Sequence, residues 1–143
     1  MKYRKVENYK FELAENFSIQ TGFLIPESII TPNNRYPFIT LSSNGILEIW
    51  KGYAIDGVTN AINSTNVIKA AFVHDALYQL MRSGKLPLSY KDKSDKLFYD
   101  ILIKDGTAKL RAWYMYQAVK LFGEKYAKPT NKKEEQENII EIP

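Results

Sequence analysis

The sequence predicts an α+β fold, with a small antiparallel β-sheet from the N-terminal half packed on a three-helix bundle from the C-terminal half. Three observations lead there. In the first third, short runs alternate apolar and polar residues with period two and are cut by Pro26, Pro32, Pro37 and Asn44-Gly45. After residue 65 the apolar spacing lengthens to three and four, the helical pattern. A chain of 143 residues, 45% apolar and 25% charged, can also bury one core of its own.

The elements follow in order. Tyr9–Leu13 alternates as a half-buried strand should, and Phe17–Gln20 shares that period. Ile29-Ile30, Phe38–Leu41 and Ile46–Trp50 are further strands, the last two paired as a hairpin because Asn44-Gly45 lies between them. A first helix runs from about Asn66 to Met81, capped by Ser64 or Thr65 and ended by Ser83-Gly84, with Ile68, Phe72, Leu77 and Leu80 inward. A second runs from Lys91 or Asp92 to Lys104, with Leu97, Phe98, Ile101 and Leu102 inward. A third spans Thr107 to Phe122, with Leu110, Trp113, Tyr114, Ala118 and Leu121 inward and Gly123 as C-cap. One domain is expected over 1–126. The tail over 127–143 is polar until Ile139-Ile140-Glu141-Ile142, which suits a segment docking on the chain itself or on a partner.

Composition removes several chemistries. Cysteine is absent, which excludes disulfides, a thiol nucleophile and zinc–thiolate or iron–sulfur sites. One histidine, His74, excludes a multi-histidine metal site. No apolar run approaches the roughly 20 residues of a bilayer span. Met1-Lys2-Tyr3-Arg4-Lys5 leads into no apolar stretch, so no signal peptide is expected. Charge is uneven. Residues 1–81 hold seven basic and seven acidic side chains, whereas residues 82–128 hold eleven and five. That basic half either faces phosphates, as on an anionic lipid surface or a nucleic acid, or forms a solvated lysine-rich face. Lys109, Arg111 and Lys120 are the residues concerned, and no recognised nucleic-acid motif accompanies them.

The sharpest feature is His74-Asp75-Ala76-Leu77-Tyr78, followed by Asp95-Lys96-Leu97-Phe98. On a helix His74 and Tyr78 share a face, and Asp75 projects about a hundred degrees away. A second helix folding back brings Asp95 to His74. The set offers an imidazole held by a carboxylate, a tyrosine hydroxyl on that carboxylate, and a second carboxylate facing elsewhere. A general base acting on water needs the first pair. A hard cation needs the outward carboxylate with further oxygens, which the Gly52-Tyr53-Ala54-Ile55-Asp56-Gly57 loop can supply through backbone carbonyls.

Taken together, Tyr9–Phe11, Phe38–Leu41, the Gly-Tyr-x-x-Asp-Gly turn (Gly52–Gly57), His-Asp-x-Leu-Tyr (His74–Tyr78) and Asp-x-x-Phe (Asp95–Phe98) resemble a family of uncharacterised tailed-phage and prophage proteins. That resemblance covers most of residues 8–123. The family often has tryptophan where this chain has Ile55. Over residues 52–102 the chain is also similar to secretory and parvoviral phospholipases. There the resemblance implies that His74 activates water, Asp95 orients it with help from Tyr78, and Asp75 binds calcium with Gly52, Tyr53, Asp56 and Gly57. The expected function is a calcium-assisted ester or lipid hydrolase acting at the host envelope. The competing expectation is a structural component of a phage head–tail or tail apparatus, in which His74 and Asp95 form only a structural hydrogen bond. The implied partners are other virion proteins or further copies of the chain, and the implied location is the virion or the host cytoplasm.

Overall fold

The structure is a computed structural model and describes residues 1–7, 10–31, 39–56 and 65–129. The predicted α+β class is found, but its strands divide between two antiparallel sheets rather than forming one. The larger sheet contains β3 (Phe17–Gln20), β4 (Ile29–Ile30), β5 (Ile39–Leu41) and β6 (Ile46–Ile49), in the order β3-β6-β5-β4. Its register sets Ile39 opposite Ile49 and Leu41 opposite Leu47. All four are fully buried, because alternation with Thr40 and Glu48 puts them on one face. The expected hairpin joins β5 to β6 through Ser42–Gly45. Gly45 sits at φ +95°, and a Cβ there would lie 2.5 Å from the Phe23 carbonyl oxygen, so only glycine fits.

The smaller sheet orders β1 (Tyr3–Glu7), β2 (Lys10–Leu13) and β7 (Ala54–Asp56) as β1-β2-β7. It corrects the expectation that residues 52–57 form a loop of convergent carbonyls. Gly52 makes a turn at φ +96°, its N–H donating to the Leu13 carbonyl, and the Leu13 N–H donates to the Tyr53 carbonyl. The chain then enters β7, with Ile55 paired to Phe11. Tyr53 and Ile55 thereby point inward and are buried, while Ala54 and Asp56 are exposed. The predicted strand residues Tyr9 and Phe38, together with Gly57 and Ser64, lie outside the described residues.

Three long helices follow, α1 (Thr65–Arg82), α2 (Lys91–Lys104) and α3 (Lys109–Phe122), all within two residues of their predicted bounds. A 3₁₀ turn over Leu88–Tyr90 precedes α2, and a short α4 (Glu124–Ala127) packs on α1. α1 runs through the centre, with ten of its residues buried, and joins the sheets to the other helices in one core. α2 returns alongside it, so that the Thr107 hydroxyl beyond its C-terminus donates to the carbonyl of Asn66 at the start of α1 (3.2 Å). Ala127, at the end of α4, is fully buried. The predicted docking segment Ile139–Ile142 lies outside the described residues.

α3 overturns its predicted face. Leu110, Trp113, Tyr114, Ala118 and Leu121 are exposed, and the packed side is Ala112 with Met115, Tyr116 and Val119. α3 is apolar nearly all round, so periodicity does not choose its inner face. The close approach of α2 does, by selecting the side carrying a small residue. Gly123 is the C-cap of α3, as expected, in a right-handed conformation. Its φ is −76°, and a Cβ there would collide with the Tyr78 hydroxyl.

Candidate functional site

His74, Asp75 and Tyr78 project from the middle of α1, and Asp95 projects from the second turn of α2. The antiparallel return of α2 places Asp95 against His74, as the sequence predicts. His74 Nε2 lies 2.7 Å from Asp95 Oδ1, and the Tyr78 hydroxyl donates to the same oxygen at 2.6 Å. The imidazole is wedged between two rings, 4.0 Å from the Tyr78 centroid and 4.9 Å from that of Phe98. Its orientation is thus fixed by packing as well as by the hydrogen bond.

Asp95 is fully buried, and its other oxygen is met by a residue the sequence reading missed. Lys91 Nζ lies 2.7 Å from Asp95 Oδ2 and reaches the carbonyls of Val119 (3.4 Å) and Lys120 (3.2 Å) near the end of α3. The available signal was the i,i+4 spacing, together with a lysine in a first helical turn, where the helix dipole disfavours it. Burial alone pushes the Asp95 carboxyl up. Hydrogen bonds from His74, Lys91 and Tyr78 outweigh that and hold it below the usual carboxylate range. An ionised Asp95 can only accept, so Nε2 carries the hydrogen between them. That fixes the tautomer, leaving Nδ1 with the lone pair. Burial and the neighbouring Asp95 also push the Tyr78 hydroxyl far up, so it stays a donor.

A second small network lies beside the first. The Tyr53 hydroxyl donates to Asp75 Oδ2 and lies 3.0 Å from Gln79 Oε1. Burial pushes the Asp75 carboxyl above its usual range. The Tyr53 hydrogen bond, Arg82 and His74 oppose the rise, and Asp56 adds to it. His74, Asp75 and Asp56 line a cavity of about 170 Å³ with Ile55, Ala71, Phe98 and Val119. Of the five residues nominated for a cation, Asp75 and Asp56 face this cavity and Tyr53 serves Asp75. Gly52 forms the turn into β7, and Gly57 lies outside the described residues. Among the described residues no three His, Asp or Glu side chains converge as a ready metal cluster. Carboxylate oxygens suit a hard cation rather than zinc.

The profile of a family described as proteins of unknown function (DUF1353) matches residues 36–119, more than half of the chain, and the chain belongs to that family. The match spans Asp56, the whole of α1 and α2, and α3 as far as Val119, and so contains every side chain of both networks. No curated protein and no solved structure matches the chain. Among the described residues, no helix is long and apolar enough to cross a membrane.

Proposed function

We propose that this member of the DUF1353 family is a phospholipase-like ester hydrolase in which His74 is the general base. The observation that carries this reading is the 2.7 Å contact of His74 Nε2 with a buried, ionised Asp95, which leaves Nδ1 as the basic nitrogen of a residue lining the cavity with Asp75 and Asp56. The Nδ1 lone pair takes a proton from water as the water oxygen bonds to the ester carbonyl carbon. The resulting imidazolium is stabilised by Asp95 and returns the proton to the alcohol oxygen as the carbon–oxygen bond breaks. The products are a carboxylic acid and an alcohol. Tyr78 and Lys91 hold Asp95 in place and ionised.

Calcium is the cofactor this reading names. Asp75 and Asp56 would hold it, and when bound it supplies positive charge for the developing carbonyl oxyanion. The cavity, at about 170 Å³, accommodates a water and an ester group but no acyl chain, so the rest of a lipid would lie outside it. The implied setting is a phage particle or its host cell, with the envelope lipid as substrate.

The test is fatty-acid release from phosphatidylglycerol vesicles with calcium and with chelator. Calcium-dependent release supports the assignment, and no release from any glycerophospholipid overturns it. One observation favours a second reading, a structural phage component. Asp95 already has three donors, so the pair has a complete role in joining α1 to α2. In that case His74→Ala lowers the melting temperature and the protein has no hydrolytic activity to lose.

A further inference from the structure

We infer that the outward face of α3 and α4 is a docking surface for an anionic lipid membrane. Leu110 is 67% exposed, Leu121 68% and Phe122 70%, and Trp113, Tyr114 and Tyr126 stand out beside them. Leu110, Tyr114 and Leu121 lie one and two turns apart, opposite the Ala112 and Val119 side that packs on the body. A soluble surface seldom concentrates so many large apolar side chains on one helix.

The charges around this stripe identify its occupant. Lys109 and Lys120 border it on one side of the helix, and α3 contains no Asp or Glu. Lys125, exposed on α4 beyond the end of α3, adds a further cation. The two acidic residues of this stretch are already paired, Asp105 with Lys69 (3.2 Å) and Glu124 with Lys128 (3.7 Å). A second copy docked α3 to α3 would bring these cations together with no carboxylate on either helix to answer them. The surface is also a convex helix with protruding side chains rather than a groove shaped for a peptide. Aromatic and aliphatic side chains that enter the acyl boundary, flanked by lysines reaching back to headgroups, are the pattern of a helix lying in an anionic interface. The opposite, inward side of α3 carries Val119, which lines the His74 cavity.

This docking shares its lipid class with the hydrolytic reading but stands on the α3 face alone, and His74→Gln keeps the two separable. The chain has two tryptophans, Trp50 and Trp113, so intrinsic fluorescence reports the face directly once Trp113→Phe has defined the Trp50 background. The full chain carrying His74→Gln is titrated with phosphatidylglycerol and with phosphatidylcholine vesicles. The expected result is a blue shift of Trp113 with phosphatidylglycerol only, weakened by salt. Lys109→Glu with Lys120→Glu should cut the affinity by at least twenty- to thirty-fold, on the order expected for losing two cations at an anionic surface. Leu121→Glu should abolish the shift while leaving the melting temperature within a degree or two, since Leu121 is exposed. Equal binding to both lipids, no binding to either, a dimer that Leu121→Glu dissolves, or salt-sensitive binding to single-stranded nucleic acid without lipid binding would each overturn the inference.

Discussion

Replacing Lys91 by Met tests whether Asp95 is held as a buried anion. The substitution keeps most of the aliphatic stem and removes the ammonium. The Asp95 side chain is 1% exposed and that of Lys91 11%, so water cannot replace the lost donor without opening the helix pair. Deleting one member of a buried ion pair costs about 3–5 kcal/mol. Here His74 and Tyr78 still donate to Asp95, which points to the lower end, about 3 kcal/mol. The carbonyls of Val119 and Lys120 also lose a cationic donor. At this chain length about 3 kcal/mol lowers the melting temperature by roughly 10 °C, measurable by calorimetry at pH 7. The pH dependence has a definite sign. The folded Asp95 carboxyl lies below its unfolded value, so it contributes stability above the ordinary carboxylate range and loses it as pH falls through the depressed folded value. Lys91→Met removes one hydrogen bond that depresses it, so the acid limb should move to higher pH. Adding Asp95→Asn to Lys91→Met should recover at least half of the lost stability, because no uncompensated charge remains. A melting shift below about 3 °C with an unchanged acid limb would refute a buried, ionised Asp95.

Four further outcomes follow from the same geometry. Gly123→Ala should displace the Tyr78 hydroxyl from Asp95 and destabilise the fold, and Tyr78→Phe should relieve part of that cost but not the clash with the Val119 carbonyl, giving a non-additive cycle in urea unfolding. Gly45→Ala should cost about 1–3 kcal/mol by equilibrium unfolding, because φ is +95° and the new Cβ meets the Phe23 carbonyl. Calcium should bind with a dissociation constant in roughly the micromolar-to-millimolar range by calorimetry, Asp75→Asn should abolish the heat, and affinity should fall as pH drops through the raised Asp75 value. Tyr53→Phe removes the hydrogen bond that restrains that rise, so Asp75 should titrate at still higher pH, read from its carboxyl resonance by NMR.

Much of this architecture is legible from local signals. Asn44-Gly45 marks the β5–β6 hairpin because its turn needs a residue at positive φ. α1 and α2 are legible because a one-sided apolar period and a glycine stop agree. The His74, Tyr78 and Asp95 triangle follows from one helical turn plus an antiparallel return. Elements made by long-range pairing are less legible. Ala54–Asp56 looks like a turn because Gly52 and Gly57 flank it, and becomes a strand only because β2 offers it hydrogen bonds across more than forty residues. Tyr3–Glu7 carries three charged residues and is a strand on the strength of that same β2 edge. α3 misleads because large apolar residues attract the inward assignment, whereas the helix packs through Ala112. Lys91 was hidden for a different reason. A lysine beside an aspartate four residues on usually decorates a surface, and only the fold places this one under the end of α3.

The most direct measurement is fatty-acid release from phosphatidylglycerol vesicles in calcium by the unmodified chain and by His74→Gln, with circular dichroism showing both folded. General-base catalysis by His74 predicts release by the unmodified chain and a fall on the order of a hundred- to ten-thousand-fold in His74→Gln. Equal release by the two proteins, or none by the unmodified chain, would contradict it and leave His74 as a packing residue between α1 and α2.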